Sequence, residues 1–491
     1  MIEIDKISDL ANNLLNGLTI VYVLLILFVV VLIILENRSP LKTIAWILVL
    51  ILIPIGGFIL YLFFGQNYRK QKMFSRKGLG DMQWLQAMSD SQKDLLEKVS
   101  SIEGEEFKQI KKIMTLLLNN SKALVSQKNK VSILNNGSET FPKIFEIISN
   151  AKRSINLEYY IFEEGELTDK LFNILKNKAK EGIKVRIIYD GVGSLSLKKD
   201  RIHDLKESGI MIYPFSPVHF PYLTHKANYR NHRKIIVVDN EYGFLGGLNF
   251  ADRYINGIPN IGIWRDTHLL IHGEAVSYLQ LIFQIDWYFV SSENLINRSH
   301  FDIKTNEEEE TLIQLAASGA DSDWASIQQA YFAAITSAKK NVYISTPYFM
   351  PGPSMIMALV SAAMSGVDVR LMLPAKSDSF ITYWSTNSYI QELLDANIKV
   401  YQYNKGFNHS KIMMIDGIIS TVGTANMDSR SFEQNFEINA IIYDKDITAN
   451  LEEDFFKDLE YTNIILPQAW ARRKKTNKIL ESFARLFSPL L

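Results

Sequence analysis

Residues 231–239 read NHRKIIVVD, and residues 408–416 read NHSKIMMID. Both contain H-x-K-x-x-x-x-D: His232, Lys234 and Asp239 in the first, His409, Lys411 and Asp416 in the second. Both continue, six residues later, into G-x-x-N, from Gly246 to Asn249 and from Gly423 to Asn426. With ordinary composition, a given histidine carries such a lysine and aspartate by chance roughly once in a few hundred. Two occurrences at identical offsets imply a chain built from two copies of one unit.

The surroundings repeat as well. AKRSINLEYYIF at 151–162 matches AKKNVYISTPYF at 338–349. Each runs from a basic pair into an alternating apolar strand. A helix-like stretch and a second strand follow, EGIKVRIIYDG from Glu181 and SGVDVRLMLPA from Ser365. Strand, helix, strand periodicity predicts βαβ units in a mostly parallel or mixed sheet. At 491 residues the chain holds two such α/β units of ~150–180 residues, with NEEEET at 306–311 as the linker.

Two further stretches cannot belong to a soluble repeat. Residues 18–35, LTIVYVLLILFVVVLIIL, carry no charge, and 16 of these 18 are Leu, Ile, Val or Phe. Residues 43–65 are 23 more without a charge. Each is long enough to cross a hydrocarbon core of about 30 Å. A cleaved signal peptide is the alternative for the first, but it is long and a second follows at once. Pro54, Gly56 and Gly57 interrupt the second, where a kinked or re-entrant helix is the alternative to a full span. Arg69, Lys70, Lys72, Arg76 and Lys77 follow it, which places that side and the body of the chain in the cytoplasm. At the other end, Arg472, Arg473, Lys474, Lys475 and Lys478 precede Ile479, Leu480, Phe483, Leu486 and Phe487. That reads as a basic amphipathic helix for an anionic leaflet, with domain packing as the plainer alternative.

The predicted division is therefore two transmembrane helices within 1–70 (about 18–35 and 43–65), a helical linker at 71–130, repeats at 131–305 and 312–465, and an amphipathic segment at 466–491. The 53 basic and 53 acidic residues balance, so no global field for nucleic acid exists. Without cysteine, thiol catalysis, disulfides and Cys-ligated metal are excluded.

The motif spacing speaks to chemistry. In a strand, His and Lys at i and i+2 share a face. Asp416-Gly417 predicts a hairpin that returns Gly423 and Asn426 beside His409 and Lys411. Each unit then offers imidazole, ammonium and carboxamide on one edge, and two edges meeting face to face make one site. Lys234, Asn249, Lys411 and Asn426 would hold phosphate oxygens, one histidine would attack phosphorus, and the other would protonate the leaving alkoxide. A histidine nucleophile needs a carboxylate on its other nitrogen. Aligning WRDTHLLIHG with NFEINAIIYD sets Asp266 level with Glu437, and the expectation is Asp266 behind His232 and Glu437 behind His409. Asp239 and Asp416 complete the catalytic motif, yet at opposite parity they read better as structural groups. His203, His219, His225, His272 and His300 read as surface or packing residues, and His268 as a satisfied core histidine. Cations beside both motif histidines disfavour a metal.

The duplicated motif resembles the phospholipase D superfamily. Residues 36–70, 229–254, 264–276 and the terminal FARLFSPLL extend the resemblance to bacterial cardiolipin synthases over nearly the whole chain. That resemblance implies two phospholipase D-like α/β units packed as a pseudo-dimer behind a transmembrane hairpin in a bacterial inner membrane. It further implies phosphatidyl transfer between two phosphatidylglycerol molecules, giving cardiolipin and glycerol through a phosphatidyl-histidine on His232. No cofactor, nucleotide or nucleic acid is implied. A hydrolytic phospholipase D, a membrane-tethered phosphodiesterase or nuclease, and an inactive scaffold stay open as alternatives.

Overall fold

A computed structural model describes residues 2–35, 40–53, 56–61, 83–99, 104–216, 229–297, 310–320 and 322–491. Most of the linker expected at 306–311, and His219, His225 and His300, lie outside the described residues.

The amino-terminal segment forms a unit of its own. Its first helix, Ile2–Leu35, starts well before the apolar run. The described residues of its second apolar segment form Pro40–Leu52 and the short Gly56–Leu60, and residues 54–55 and 62–65 lie outside the described residues. Val29 and Ile33 pack with Leu50 and Tyr61. Among the described residues, no helix is long and apolar enough to cross a membrane.

The rest of the chain contains both repeats. In the first, strands Ser154–Tyr159, Lys184–Asp190 and Met211–Phe215 run parallel, connected by helices Glu166–Lys180 and Lys199–Glu207. Ile235–Val238, Tyr242–Gly246, Thr267–Gly273 and Asn129–Asn135 extend this sheet antiparallel, to seven strands. The second repeat has the same plan. Asn341–Ser345, Asp368–Pro374 and Lys399–Tyr403 are parallel, and Ile412–Ile415, Ile419–Gly423, Glu437–Tyr443 and Leu312–Ser318 continue antiparallel in a nine-stranded sheet. The mixed sheets follow from the sequence: a helix long enough for a parallel crossover separates the first strands, and a tight turn after each motif strand returns the chain antiparallel.

Within the predicted helical linker at 71–130, the described residues form helices Gln83–Val99 and Glu105–Asn120 and pack on the body of the chain. Helix Glu105–Asn120 buries Ile113 and Leu117 in the core that also holds Ile335 and Ile415, and Val125–Ser126 adds an edge strand to the nine-stranded sheet. The same core takes in Ile235, Val237, Leu245 and Leu269 of the first sheet and Val276 and Leu279 of helix Ala275–Ser291. The two repeats are thus joined through shared apolar burial.

Asp239 and Asp416 open the tight turns after the motif strands. Asp239 and Asn240 have φ of 56° and 57°, and Asp416 and Gly417 have 55° and 68°, the two positive values a type I′ turn requires. Asp239 carboxylate oxygens accept from the backbone N–H groups of Lys152, Arg153 and Ser154. Those of Asp416 accept from Lys339, Lys340 and Asn341, and from Gln109 Nε2 at 2.9 Å. Both carboxylates therefore tie the motif hairpin to the first parallel strand. Asp416→Ala leaves the buried Gln109 amide and three part-buried backbone donors without their acceptor, at about 1–3 kcal/mol for each that stays buried and unsatisfied. The expected result is a lower thermal midpoint, with a loss of turnover far smaller than for the motif histidines.

Candidate active site

One short parallel ladder and one isolated bridge bring the repeats together. Gly406–Asn408 pairs with Ile263–Arg265, Asn408 opposite Arg265, and the His409 N–H donates to the Arg265 carbonyl at 2.7 Å. On the other side Asn231 bridges Phe436, and the His232 N–H donates to the Phe436 carbonyl at 2.9 Å. Each motif histidine thus lies one residue past a pairing with the other repeat, next to that repeat's carboxylate. Glu437 sits 3.0 Å from His232 Nδ1, and Asp266 sits 2.7 Å from His409 Nδ1. This corrects the expected pairing, which set Asp266 behind His232 and Glu437 behind His409. The alignment found the right carboxylates, but the strands that deliver them pair across the repeats.

A carboxylate only accepts, so Nδ1 carries the proton in both rings and Nε2 keeps its lone pair. Glu437 is fully buried. Burial opposes its charge, but His232, Lys234 and the Thr424 hydroxyl outweigh burial and hold the carboxyl below its ordinary range. Burial also pushes the His232 ring down to about 4 despite the Glu437 charge. His409 falls well below its ordinary value through burial and the nearby Lys411 and Lys234. Burial raises the Asp266 carboxyl, while Lys411 and the Thr267 N–H, 2.8 Å from Oδ1, work against that. Both imidazoles are therefore neutral at pH 7, the form a nucleophile or general base needs.

Both histidines open into one cavity of about 440 Å³, with Asn249 and Asn426 also in its wall. The expected edge of imidazole, ammonium and carboxamide is met only in part. Neither lysine ammonium lines the cavity. Lys234 Nζ donates to the His232 carbonyl at 2.7 Å and Lys411 Nζ to the His409 carbonyl at 2.5 Å, since a buried ammonium must be hydrogen-bonded. Burial brings Lys234 down to about 7 and Lys411 to about 8. Lys411 Nζ also stands 3.0 Å from His409 Nδ1, a contact of charge, because that nitrogen already carries its proton. Asn249 Nδ2 donates to the Tyr254 hydroxyl at 2.7 Å, while Asn426 Oδ1 is buried without a partner among the described residues.

Gly246 and Gly423 are required where they stand. Gly246 lies opposite His268 and Gly423 opposite Asn439, and a Cβ would strike the His268 ring in one case and the Asn439 amide in the other. His268 was read as a satisfied core histidine. It is buried, but neither ring nitrogen has a partner among the described residues, and burial pushes it to about 4. His203, 3.1 Å from Glu207, and His272 are surface residues as expected. Among the described residues no group of three His, Asp or Glu converges as a metal site would need.

Several wall residues had no counterpart in the sequence reading: Tyr160, Arg230, Arg253, Tyr254, Trp264 and Arg430. Only two of them had a signal. Arg253 and Arg430 each stand four residues after the motif asparagine, so the repeat is G-x-x-N-x-x-x-R.

Two α/β repeats meeting across paired motif histidines define a phospholipase D-like enzyme. A crystal structure of phosphatidylserine synthase from Haemophilus influenzae Rd KW20 shares the fold, with a TM-score of 0.60 over 77% of this chain and 100% of that one at 15% identity. The family model described as "Cardiolipin synthase, PLD-like domain" matches residues 144–287 and 331–459, and "Phospholipase_D-nuclease N-terminal" matches 23–66. A cardiolipin synthase of Halalkalibacterium halodurans is 42% identical over 97% of this chain and 94% of its own length. One of Geobacillus sp. strain WCH70 is 43% identical over 98% and 95%. The chain belongs to the cardiolipin synthase family.

Proposed function

We propose that the chain joins two phosphatidylglycerol molecules into cardiolipin and glycerol. The activity is that of a cardiolipin synthase, a phosphatidyltransferase. His232 Nε2 attacks the phosphorus of the first lipid, and His409, which takes up a proton on Nε2 once the phosphodiester anion is bound beside it, gives that proton to the departing glycerol. The phosphatidyl-histidine then passes to the free glycerol hydroxyl of the second lipid, whose proton His409 takes. Glu437 and Asp266 keep each ring in its tautomer and stabilise it when charged. General acid–base help of this kind contributes about 10²–10⁴-fold. The carrying observation is the pair of neutral imidazoles in one cavity, each with a buried carboxylate on Nδ1. The purified chain in phosphatidylglycerol vesicles, without nucleotide, should yield cardiolipin and free glycerol by lipid mass spectrometry. Phosphatidic acid alone would make it a hydrolase.

We also propose that the amino-terminal helices form a spanning hairpin that leaves the body cytoplasmic. The uncharged runs at 18–35 and 43–65 and the outward apolar side chains Leu24, Phe28 and Leu35 support this. The carboxy-terminal helix Lys475–Arg485 buries Glu481 and Ala484 but exposes Ile479 and Phe483, with Leu486 exposed just beyond it. That suits a basic helix lying on an anionic leaflet.

The site's charges set a pH profile. Neither ammonium lines the cavity, but each stands behind its motif histidine, so their charge draws the phosphodiester in: that attraction is full below about 7 and fades as pH rises through Lys234 at about 7 and Lys411 at about 8. The nucleophile is lost only as pH falls through about 4, where His232 takes a second proton. In neutral micelles kcat/KM should hold between about 4 and 7 and decline above. A profile still rising at pH 9 would contradict the lysine assignment.

A further inference from the structure

The two arginines of the extended repeat differ in one respect. Both are half-buried and both line the cavity that holds His232 and His409. Arg253 is already paired, its Nη1 2.7 Å from Glu163, with the guanidinium 5.7 Å from the Tyr254 ring centre. Arg430 sits in the first turn of the short helix Ser429–Glu433. Its one side-chain hydrogen bond among the described residues is a long one, from Nε to Asn435 Oδ1 at 3.4 Å. No described carboxylate pairs with it. The nearest in sequence, Asp428, accepts the Ser431 N–H at 2.7 Å, and burial pushes its carboxyl up to about 6. Asp378, also in the wall, is engaged by the Tyr348 hydroxyl at 2.8 Å. The field of Arg430 reaches Tyr160, whose ring centre is 5.0 Å from that of His232. An arginine fork with no carboxylate, lining the same cavity as His232, is a ready receptor for a phosphate oxygen.

The chemistry proposed for the site supplies a second phosphate. The acceptor lipid attacks through a glycerol hydroxyl, and its own phosphodiester hangs on the same three-carbon glycerol. When that hydroxyl reaches the phosphatidyl-histidine, a second anion must stand a few ångström from the first. It needs a cation that is not already neutralised: the lysine ammoniums are bonded to the His232 and His409 carbonyls and do not line the cavity, Arg253 is paired with Glu163 and Arg230 with Asp190. We infer that Arg430 holds the phosphate of the acceptor phospholipid, making the site selective for an anionic lipid alcohol over a neutral one. This rests on the transfer reading above. No bond forms or breaks at Arg430.

The test sets two acceptors against each other in one vesicle. Full-length protein is placed in phosphatidylglycerol vesicles containing 1-monoacylglycerol, which offers the same hydroxyl on a bilayer anchor without a phosphate. Mass spectrometry reads cardiolipin and phosphatidyl-monoacylglycerol together. Arg430→Gln should lower the ratio of cardiolipin to the neutral-acceptor product about ten-fold or more, and Arg430→Lys should restore part of it. The ratio is internal, so a partly folded or slow variant still reports. If Arg430→Gln gives no product at all, Arg430→Lys must shift the ratio the same way, or the inference falls. A ratio unmoved in an active variant overturns this inference and leaves the transfer reading standing. A wild type that transfers to neither acceptor overturns both.

Discussion

His232→Ala will abolish cardiolipin formation, by about 10⁴-fold or more, in a protein that still folds. Removing a nucleophile from a working set costs about as much as removing the whole set, because the remaining groups have nothing to assist. Structural damage should be small: the ring is 12% exposed, and its anchoring N–H to the Phe436 carbonyl belongs to the backbone and survives the change. His409→Ala will reduce turnover comparably with natural lipid, since a glycerol alkoxide is a poor leaving group without a proton. A donor with a good leaving group separates the two. With phosphatidyl-p-nitrophenol, His409→Ala should still release a burst of nitrophenol equal to the enzyme present, and His232→Ala none. The reverse pattern would exchange the two roles, and a burst from neither variant would sink the covalent route.

The second large effect comes from the carboxylates, and it tests the pairing across repeats. Glu437→Gln will behave like a weakened His232 variant, although residue 437 belongs to the second repeat. Asp266→Asn will behave like a weakened His409 variant. Each should cost about 10²–10⁴-fold with natural lipid, because the amide no longer fixes the tautomer or stabilises the imidazolium. With the nitrophenol donor the burst should be lost in Glu437→Gln and kept in Asp266→Asn. If Asp266→Asn lost the burst instead, the carboxylates would be working within their own repeats and the observed contacts would not be the functional ones. Circular dichroism checks folding, which matters for Glu437 because Thr424 Oγ1 and Asn435 Nδ2 also bond to it.

Much of the architecture is legible in local pattern. Alternation in SINLEY and NVYIS marks the first parallel strands, the helical stretches behind them mark the crossovers, and Asp416-Gly417 marks its turn. These are short-range properties: period two, crossover length, and a residue that tolerates positive φ. The helices at 83–99 and 105–120 are amphipathic in isolation, and nothing local says which sheet Ile113 and Leu117 will cover. The lysines were placed in the phosphate wall by strand parity, which predicts the face of a side chain but not where a long ammonium folds back to find an acceptor. Arg430 was visible as a repeat of Arg253 at equal offset. Its lack of a carboxylate was not.

The sequence by itself determined that there are two copies of one α/β unit, that each carries an imidazole, a lysine and an asparagine near one sheet edge, and that Asp266 and Glu437 are equivalent carboxylates. Only the tertiary structure decided which carboxylate serves which histidine. One three-residue ladder, Gly406–Asn408 on Ile263–Arg265, and one isolated bridge, Asn231 to Phe436, set that choice. Their backbone hydrogen bonds carry no side-chain signature, so their partners are fixed by how two apolar sheet faces bury against each other, which depends on the whole folded chain.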